Sequence, residues 1–230
     1  MKNILVIFKK QLKDTFTNKA VLIQFVLFPI MTIIMENAID VKGMPEHYFT
    51  LMFSVMYIGM APITATAAIV SEEKEADTLR VLMMAKVTPV QYLLGVGIYV
   101  FLLCMAGGAI MGVASGITGA QLGVFLVIMA IGFVISTMLG AALGILANNQ
   151  MAATSITVPV IMVISFLPML GMFNDTFKKI AEITYTQQIQ NVMNELSFNA
   201  FDARGIVTIV TNAVIFTLFF IIMYKKKGLE

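Results

Sequence analysis

Glu72, Glu73, Glu75 and Asp77, interleaved with Lys74, Arg80 and Lys86, crowd into a short link between two long apolar runs. Few chemistries suit such a cluster. The acidic pair Glu72-Glu73 has no histidine partner in the apolar segments, and the only histidine, His47, stands beside a different short loop. The only cysteine, Cys104, lies inside an apolar run, which rules out a disulfide framework or a cysteine-based metal site within one chain. No G-x-S-x-G occurs either. No catalytic residue and no metal ligand is therefore expected. What remains is recognition: charges at a rim set the register of a docked protein while apolar neighbours anchor it.

The pattern around these charges is that of a short helix laid along a membrane face, expected over residues 71–87. Ser71 is placed to cap its N-terminus, where Glu72, Glu73 and Glu75 complement the positive end of the helix dipole. Ala76, Leu79 and Met83 recur at helical spacing and give it one apolar side. The partner-contact candidates are then Glu72, Glu73, Glu75, Asp77, Leu79, Arg80 and Met83. Thr88-Pro89-Val90-Gln91 restarts the chain as a capping box with Pro at the first helical position. Val87 and Tyr92 are spaced for a hydrophobic staple. Helix, break and membrane helix make a fixed ledge for another protein to push on. The plainer reading is a solvated, capped loop.

Hydrophobic residues make up 59% of the 230 residues and charged ones 12%, with a mean hydropathy of +0.92. Soluble domains carry roughly 45–50% apolar and about 25% charged residues, so this is an integral membrane protein. A net charge of +2 spread along the chain gives no footprint for nucleic acid. Six spans are expected, at 20–35 (extendable to 39), 48–70, 92–113, 122–147, 151–173 and 205–224. Residues 1–19 form an amphipathic helix, with Lys2, Lys9 and Lys13 on one face and Ile4, Leu5, Phe8 and Leu12 largely opposite. Such a helix lies in the interface plane. Basic residues orient the spans. With both ends, the 71–90 link and residues 148–150 inside, only Lys42, Lys178, Lys179 and Arg204 of the 15 Lys and Arg fall outside. The basic tail 225–230 is then cytoplasmic. Tyr48, Tyr57, Tyr92, Tyr99, Tyr185 and Tyr224 are the candidate interfacial aromatics.

Residues 174–204 are half polar and half apolar at helical spacing. They form either short helices dipping back into the outer leaflet or a helix lying flat on the surface. In the first case Thr184, Gln187, Gln188 and Asn191 must face protein or water and would line an outer gate, sealed by Ile183, Ile189 and Val192. Gly108, Gly112 and Gly116, and Gly140 and Gly144 preceded by Ser136, repeat four apart and let helices approach closely, as packing within the bundle. Pro62, Pro159 and Pro168 lie inside spans, where each removes a backbone donor.

No G-x-x-x-x-G-K-[ST] is present, and no Lys follows a Gly anywhere in the chain, so it has no P-loop for ATP. The central stretches of the six spans hold no Asp, Glu, Lys, Arg or His, which disfavours proton-coupled antiport.

Glu73-Lys74-Glu75, Thr78-Leu79, Val87-Thr88-Pro89 and Leu93-Leu94-Gly95 carry a resemblance. This stretch is similar to the coupling region between the second and third spans of ABC-2 type permeases, the membrane subunits of ATP-driven exporters. Ala76-Asp77 departs from the family, which more often has a basic residue and Gly there. The resemblance covers the whole chain through its topology. It implies an all-α membrane protein: six transmembrane helices, an N-terminal interfacial elbow helix (1–19), a single transmembrane domain (20–224), a cytoplasmic coupling helix (71–87), and a helical outer segment (174–204), re-entrant in the family. It also implies a separate ABC ATPase in two copies, which carries the ATP and Mg, and a second permease chain, identical or homologous. Export direction and location in the cell membrane follow from the resemblance. Met- and Phe-rich spans without central charge suit a hydrophobic or amphipathic cargo, and the small permease body resembles exporters of antimicrobial peptides, antibiotics and hydrophobic drugs. A polysaccharide or lipid exporter, or a membrane assembly protein with no transport path, are the alternatives.

Overall fold

The computed structural model describes residues 2–17, 19–39, 43 and 45–227, with the side chains of 2, 15–17, 19–21, 83, 89, 225 and 227 left outside that description. Ten α-helices follow in order: α1 (Lys2–Thr17), α2 (Lys19–Ala38), α3 (Tyr48–Glu75), α4 (Thr78–Met84), α5 (Pro89–Ala114), α6 (Gly119–Leu146), α7 (Gln150–Gly171), α8 (Asp175–Ala181), α9 (Tyr185–Glu195) and α10 (Ala203–Lys227). A 3₁₀ turn, Phe198–Ala200, precedes α10. No strand occurs among the described residues. Five helices, α3, α5, α6, α7 and α10, are long and apolar enough to cross a bilayer. The described side chains of α2, Leu22–Ala38, form a further apolar stretch.

α3 is the axis of the bundle. Its most apolar window is 78% buried against 11% for α10, so α10 presents most of its surface outward and α3 almost none. α6 lies closest to α3, and glycine makes that possible. A Cβ at Gly140 would stand 2.6 Å from the Ile63 carbonyl oxygen, and one at Gly144 would stand 2.8 Å from that of Ala67. Both pairs repeat four residues apart, so small residues on α6 ride along one stripe of α3, as expected for packing inside the bundle.

The buried prolines are paired with hydroxyls. Proline at position i cannot bond the carbonyl at i−4. Pro29 in α2 thereby frees the Phe25 carbonyl, which accepts from the Tyr57 hydroxyl of α3 at 3.2 Å. Pro62 in α3 frees that of Ile58, which accepts from Ser136 of α6 at 2.6 Å. Pro168 in α7 frees that of Ile164, which accepts from Thr186 of α9 at 2.6 Å. Each freed oxygen is thus tied to a different neighbouring helix, and no lipid-facing group need satisfy it.

Three expectations need correction. The break after the second span does not fall at Ser71. α3 continues to Glu75, and the Ser71 hydroxyl, fully buried, donates back to the Ala68 carbonyl within the same helix. The turn comes at Asp77, whose φ of 54° reverses the chain, and the following helix α4 has only seven residues. Glu72, Glu73 and Glu75 therefore sit at the negative end of α3's dipole rather than the positive end of a new helix. Second, Tyr57, Tyr92, Tyr99 and Tyr185 are fully buried, not interfacial. Tyr57 and Tyr185 find partners inside, Tyr185 through a 2.6 Å bond with Ser136. Third, the basic tail expected over 225–230 begins inside α10, which runs to Lys227; residues 228–230 lie outside the described residues.

Candidate functional site

Three acids at the end of α3 would repel one another and the last carbonyls of their own helix. Cations and helix N-termini from elsewhere offset this. Glu73, 4% exposed, pairs with Lys10 of α1 and accepts from the Gln11 amide at 2.7 Å. Tyr92 of α5, also buried, adjoins the same carboxylate. Glu75 accepts from the Gln150 backbone N–H at 2.9 Å and so caps the N-terminus of α7 from outside, beside Asn149, which accepts from Ala152 N–H at 2.7 Å. Lys74 reaches the Ile145 carbonyl at 3.2 Å, a cation on the C-terminal end of α6. Thr78 closes the turn by donating to the Glu73 carbonyl at 3.0 Å. One helix end thus holds α1, α4, α6 and α7 together.

The candidate contact residues divide accordingly. Glu72, Glu75, Asp77 and Arg80 are exposed. Leu79 is buried at 2% and anchors α4 against the bundle. Met83 lies on α4, but its side chain is outside the described residues. Glu73 is not at the rim. It is the internal clamp between α1 and α3. Between Lys74, Glu75, Asn148 and Asn149 lies an open polar notch of about 510 Å³. The capping box that restarts the chain is present as expected: the Gln91 N–H donates to Thr88 Oγ1 and the Thr88 N–H to Gln91 Oε1, both at 3.3 Å. Asn3 of α1 donates to the same Gln91 Oε1 at 3.1 Å, which ties α1 to the start of α5 as well.

α1 itself packs differently from the simple two-faced reading. Among its described side chains Ile7 and Gln11 are buried, while Leu5, Val6 and Leu12 are exposed. A Cβ at Gly95 of α5 would lie 2.7 Å from the Ile7 side chain, so Gly95 makes the seat for α1.

On the opposite face, α9 is not laid on the surface. It packs against α3, α6, α7 and α10. Thr184 caps it, its hydroxyl accepting from the Gln187 N–H at 3.3 Å. Thr184, Gln187 and Gln188 are buried, and Asn191 is exposed. Gln187 donates to the Asn191 side chain at 2.9 Å, and Gln188 donates to the Glu182 carbonyl at 2.6 Å. These four polar residues therefore form one connected patch. Of the three apolar residues expected to seal it, Ile189 and Val192 are buried, whereas Ile183 is 70% exposed.

Lys10, Gln11 and Pro29 are the functional and structural contributors that sequence reading missed. Lys10 and Gln11 stand off the basic and apolar faces assigned to α1, which is the one signal that could have marked them. Glu36 is another. It accepts from the Thr50 N–H and hydroxyl, both at 2.9 Å, and so caps α3 from the end of α2.

Residues 2–225 match the family model described as ABC-2 family transporter protein. No curated protein matches the chain.

Proposed function

The chain belongs to the ABC-2 family of transporter proteins, and from that premise we propose that it forms the pathway of an exporter moving hydrophobic or amphipathic molecules out across the cell membrane. As a family member it is a multi-pass permease subunit of an ABC transporter, partnered by an ABC ATPase, and not itself the ATPase. The working unit in this reading is two permease chains and two ATPase chains, with both termini cytoplasmic.

One observation carries the coupling part of the reading: the end of α3 joins α1, α4, α6 and α7 through Glu73, Glu75, Lys74 and Thr78. A load placed on α4 therefore reaches the starts and ends of several spans without passing through a flexible loop. In this reading the exposed Glu72, Glu75, Asp77 and Arg80 meet the ATPase, α4 is held by Leu79, and Glu73 passes the movement inward. The polar patch Thr184, Gln187, Gln188 and Asn191 forms the outer gate.

Charge reversal separates contact from clamp. Glu72→Lys with Asp77→Lys leaves the Glu73 clamp in place and is expected to lower ATPase co-purification with the permease by about tenfold. Mass measurement of the unmodified solubilised complex should return two copies of each chain. Full recovery of the ATPase with the doubly reversed permease would refute the assigned contact.

A further inference from the structure

The short helix α8 and the turns on either side of it carry a dense exposed apolar surface. Met172, Phe173, Phe177, Ile180 and Ile183 all stand outward, Phe173 at 74% exposure. They extend a row already present on α7, where Val163 and Leu170 are exposed about two turns apart and so share one face. An apolar surface of this continuity is covered by something other than water.

The same stretch is polar on its other side. Asn174 caps α8, its side chain accepting from the Thr176 N–H at 2.8 Å, and Asp175, Thr176, Lys178 and Lys179 are all exposed. Helical geometry puts Phe177 and Ile180 on one side of α8 and Asp175 and Lys179 on the far side, while the fully buried Ala181 faces the bundle. A Cβ at Gly171 would stand 3.0 Å from the Lys178 Cα, so the backbone of α8 is pressed against the end of α7. Hydrocarbon would penalise these charges, and open water these rings. The headgroup layer suits both. Neither lysine forms an ion pair among the described residues, and Glu182, one turn after Lys178, is held by Arg204 at 2.8 Å. Two lysines against Asp175 leave α8 with one net positive charge.

We propose that α8 binds the headgroup layer of an anionic phospholipid leaflet, with Phe173, Phe177, Ile180 and Ile183 among the acyl chains and Lys178 and Lys179 on the lipid phosphates. The lysine stems lie along the apolar surface and carry their ammonium groups up to the charged layer. A zwitterionic headgroup offers no net charge to them, whereas a phosphatidylglycerol headgroup does. The contact also reaches α9. Thr184 donates to the Ala181 carbonyl at 2.7 Å and Gln188 to that of Glu182, so the first turn of α9 follows the end of α8. This inference concerns one helix and the bilayer, and stands apart from the transport reading.

The chain has no tryptophan, so Phe177→Trp supplies a single fluorescent reporter on α8, and Ile180→Trp a second on the same side if the first is not recovered folded. The full-length chain is reconstituted in nanodiscs of phosphatidylcholine and phosphatidylglycerol in equal amounts. In one set only the phosphatidylglycerol is brominated near the headgroup end of its acyl chains, in the other only the phosphatidylcholine. Quenching should report a preference of about fivefold for phosphatidylglycerol, the worth of one net positive charge at the surface. High sodium chloride should shrink it. Lys178→Gln with Lys179→Gln should bring it to parity or below. Val214→Trp, exposed midway along α10, should show no preference. Absence of quenching by either lipid would place α8 in water and overturn the proposal. Equal quenching by both lipids overturns it, as does a preference that survives loss of both lysines. The same preference at Val214→Trp would assign it to the protein surface at large, and overturns it too. Inorganic phosphate matched in ionic strength to sodium chloride should weaken the preference no more than that salt does; abolition by phosphate alone would make the lysines a site for a soluble anion, against the proposal.

Discussion

At the scale of single residues, the chain solves one problem repeatedly: how to keep proline kinks in a helix bundle without leaving a bare carbonyl. Tyr57, Ser136 and Thr186 each donate to an oxygen four residues before a proline on another helix. Ser136 is the most heavily used, since its oxygen also meets the Tyr185 hydroxyl of α9. Ser136→Ala strands both the Ile58 carbonyl and the Tyr185 hydroxyl, and should cost about 1–3 kcal/mol of stability. The sole thiol, Cys104, is buried, so its reaction with a thiol-reactive dye during heating follows unfolding directly. Adding Pro62→Ala restores an N–H that can serve Ile58, and the double variant should be more stable than the sum of the two single changes predicts. Strict additivity would mean that Ser136 and Pro62 are not linked through that carbonyl.

At the scale of elements, the long spans were legible because hydropathy and length are local properties, and the capping box at Thr88 was legible because its four residues are contiguous. The boundary at Ser71 was misread for a physical reason. A serine before three acids has the look of an N-cap, but residues far away in sequence, Lys10, Gln11 and Gln150, bind the Glu73 and Glu75 carboxylates and let α3 run one turn further. α9 could not be settled from its composition, since a half-polar helix suits a water surface and a protein interior alike. Its polar side is partly satisfied, by Asn191, by the Glu182 and Ile164 carbonyls and by its own cap, while Gln187 Oε1 and Gln190 Oε1 are buried without a partner. That makes it a helix which can afford to be buried and still keeps one wet edge at Asn191. Gln187→Cys and Gln188→Cys, introduced into a chain carrying Cys104→Ser, should react slowly with a membrane-impermeant thiol reagent at rest and at least about tenfold faster during ATP turnover, if α9 moves on the microsecond-to-second scale of gating transitions. Rapid labelling that is the same with and without ATP would remove α9 from any gate.

At the scale of the whole molecule, the question is whether α2, 20 residues long, crosses the membrane as the other five long apolar helices can. Its two ends answer through their neighbours. Just before it, α1 is fastened at Lys10 to Glu73, at one end of α3. At its far end Glu36 caps Thr50, at the other end of α3. α2 therefore runs the length of α3, and its 20 residues span roughly 30 Å, the thickness of a bilayer core. Of its polar residues, Thr32 is fully buried in the bundle and so is kept from lipid. In the proposed six-span layout α1, Glu72 and the end of α10 would share one side of the membrane, and their positive charge would favour the cytoplasm. Glu72→Cys and Lys226→Cys, each in a Cys104→Ser chain, should therefore both resist an impermeant maleimide added to intact cells and both react once the cells are opened. Asn199→Cys, in the turn before α10, should react in intact cells. Five crossings, with α2 lying in the interface, would leave α1 on the far side of the membrane from Glu73. The Lys10 to Glu73 pair would then be impossible, so a cysteine at Asn3 labelled from outside would break both the topology and the clamp in a single measurement.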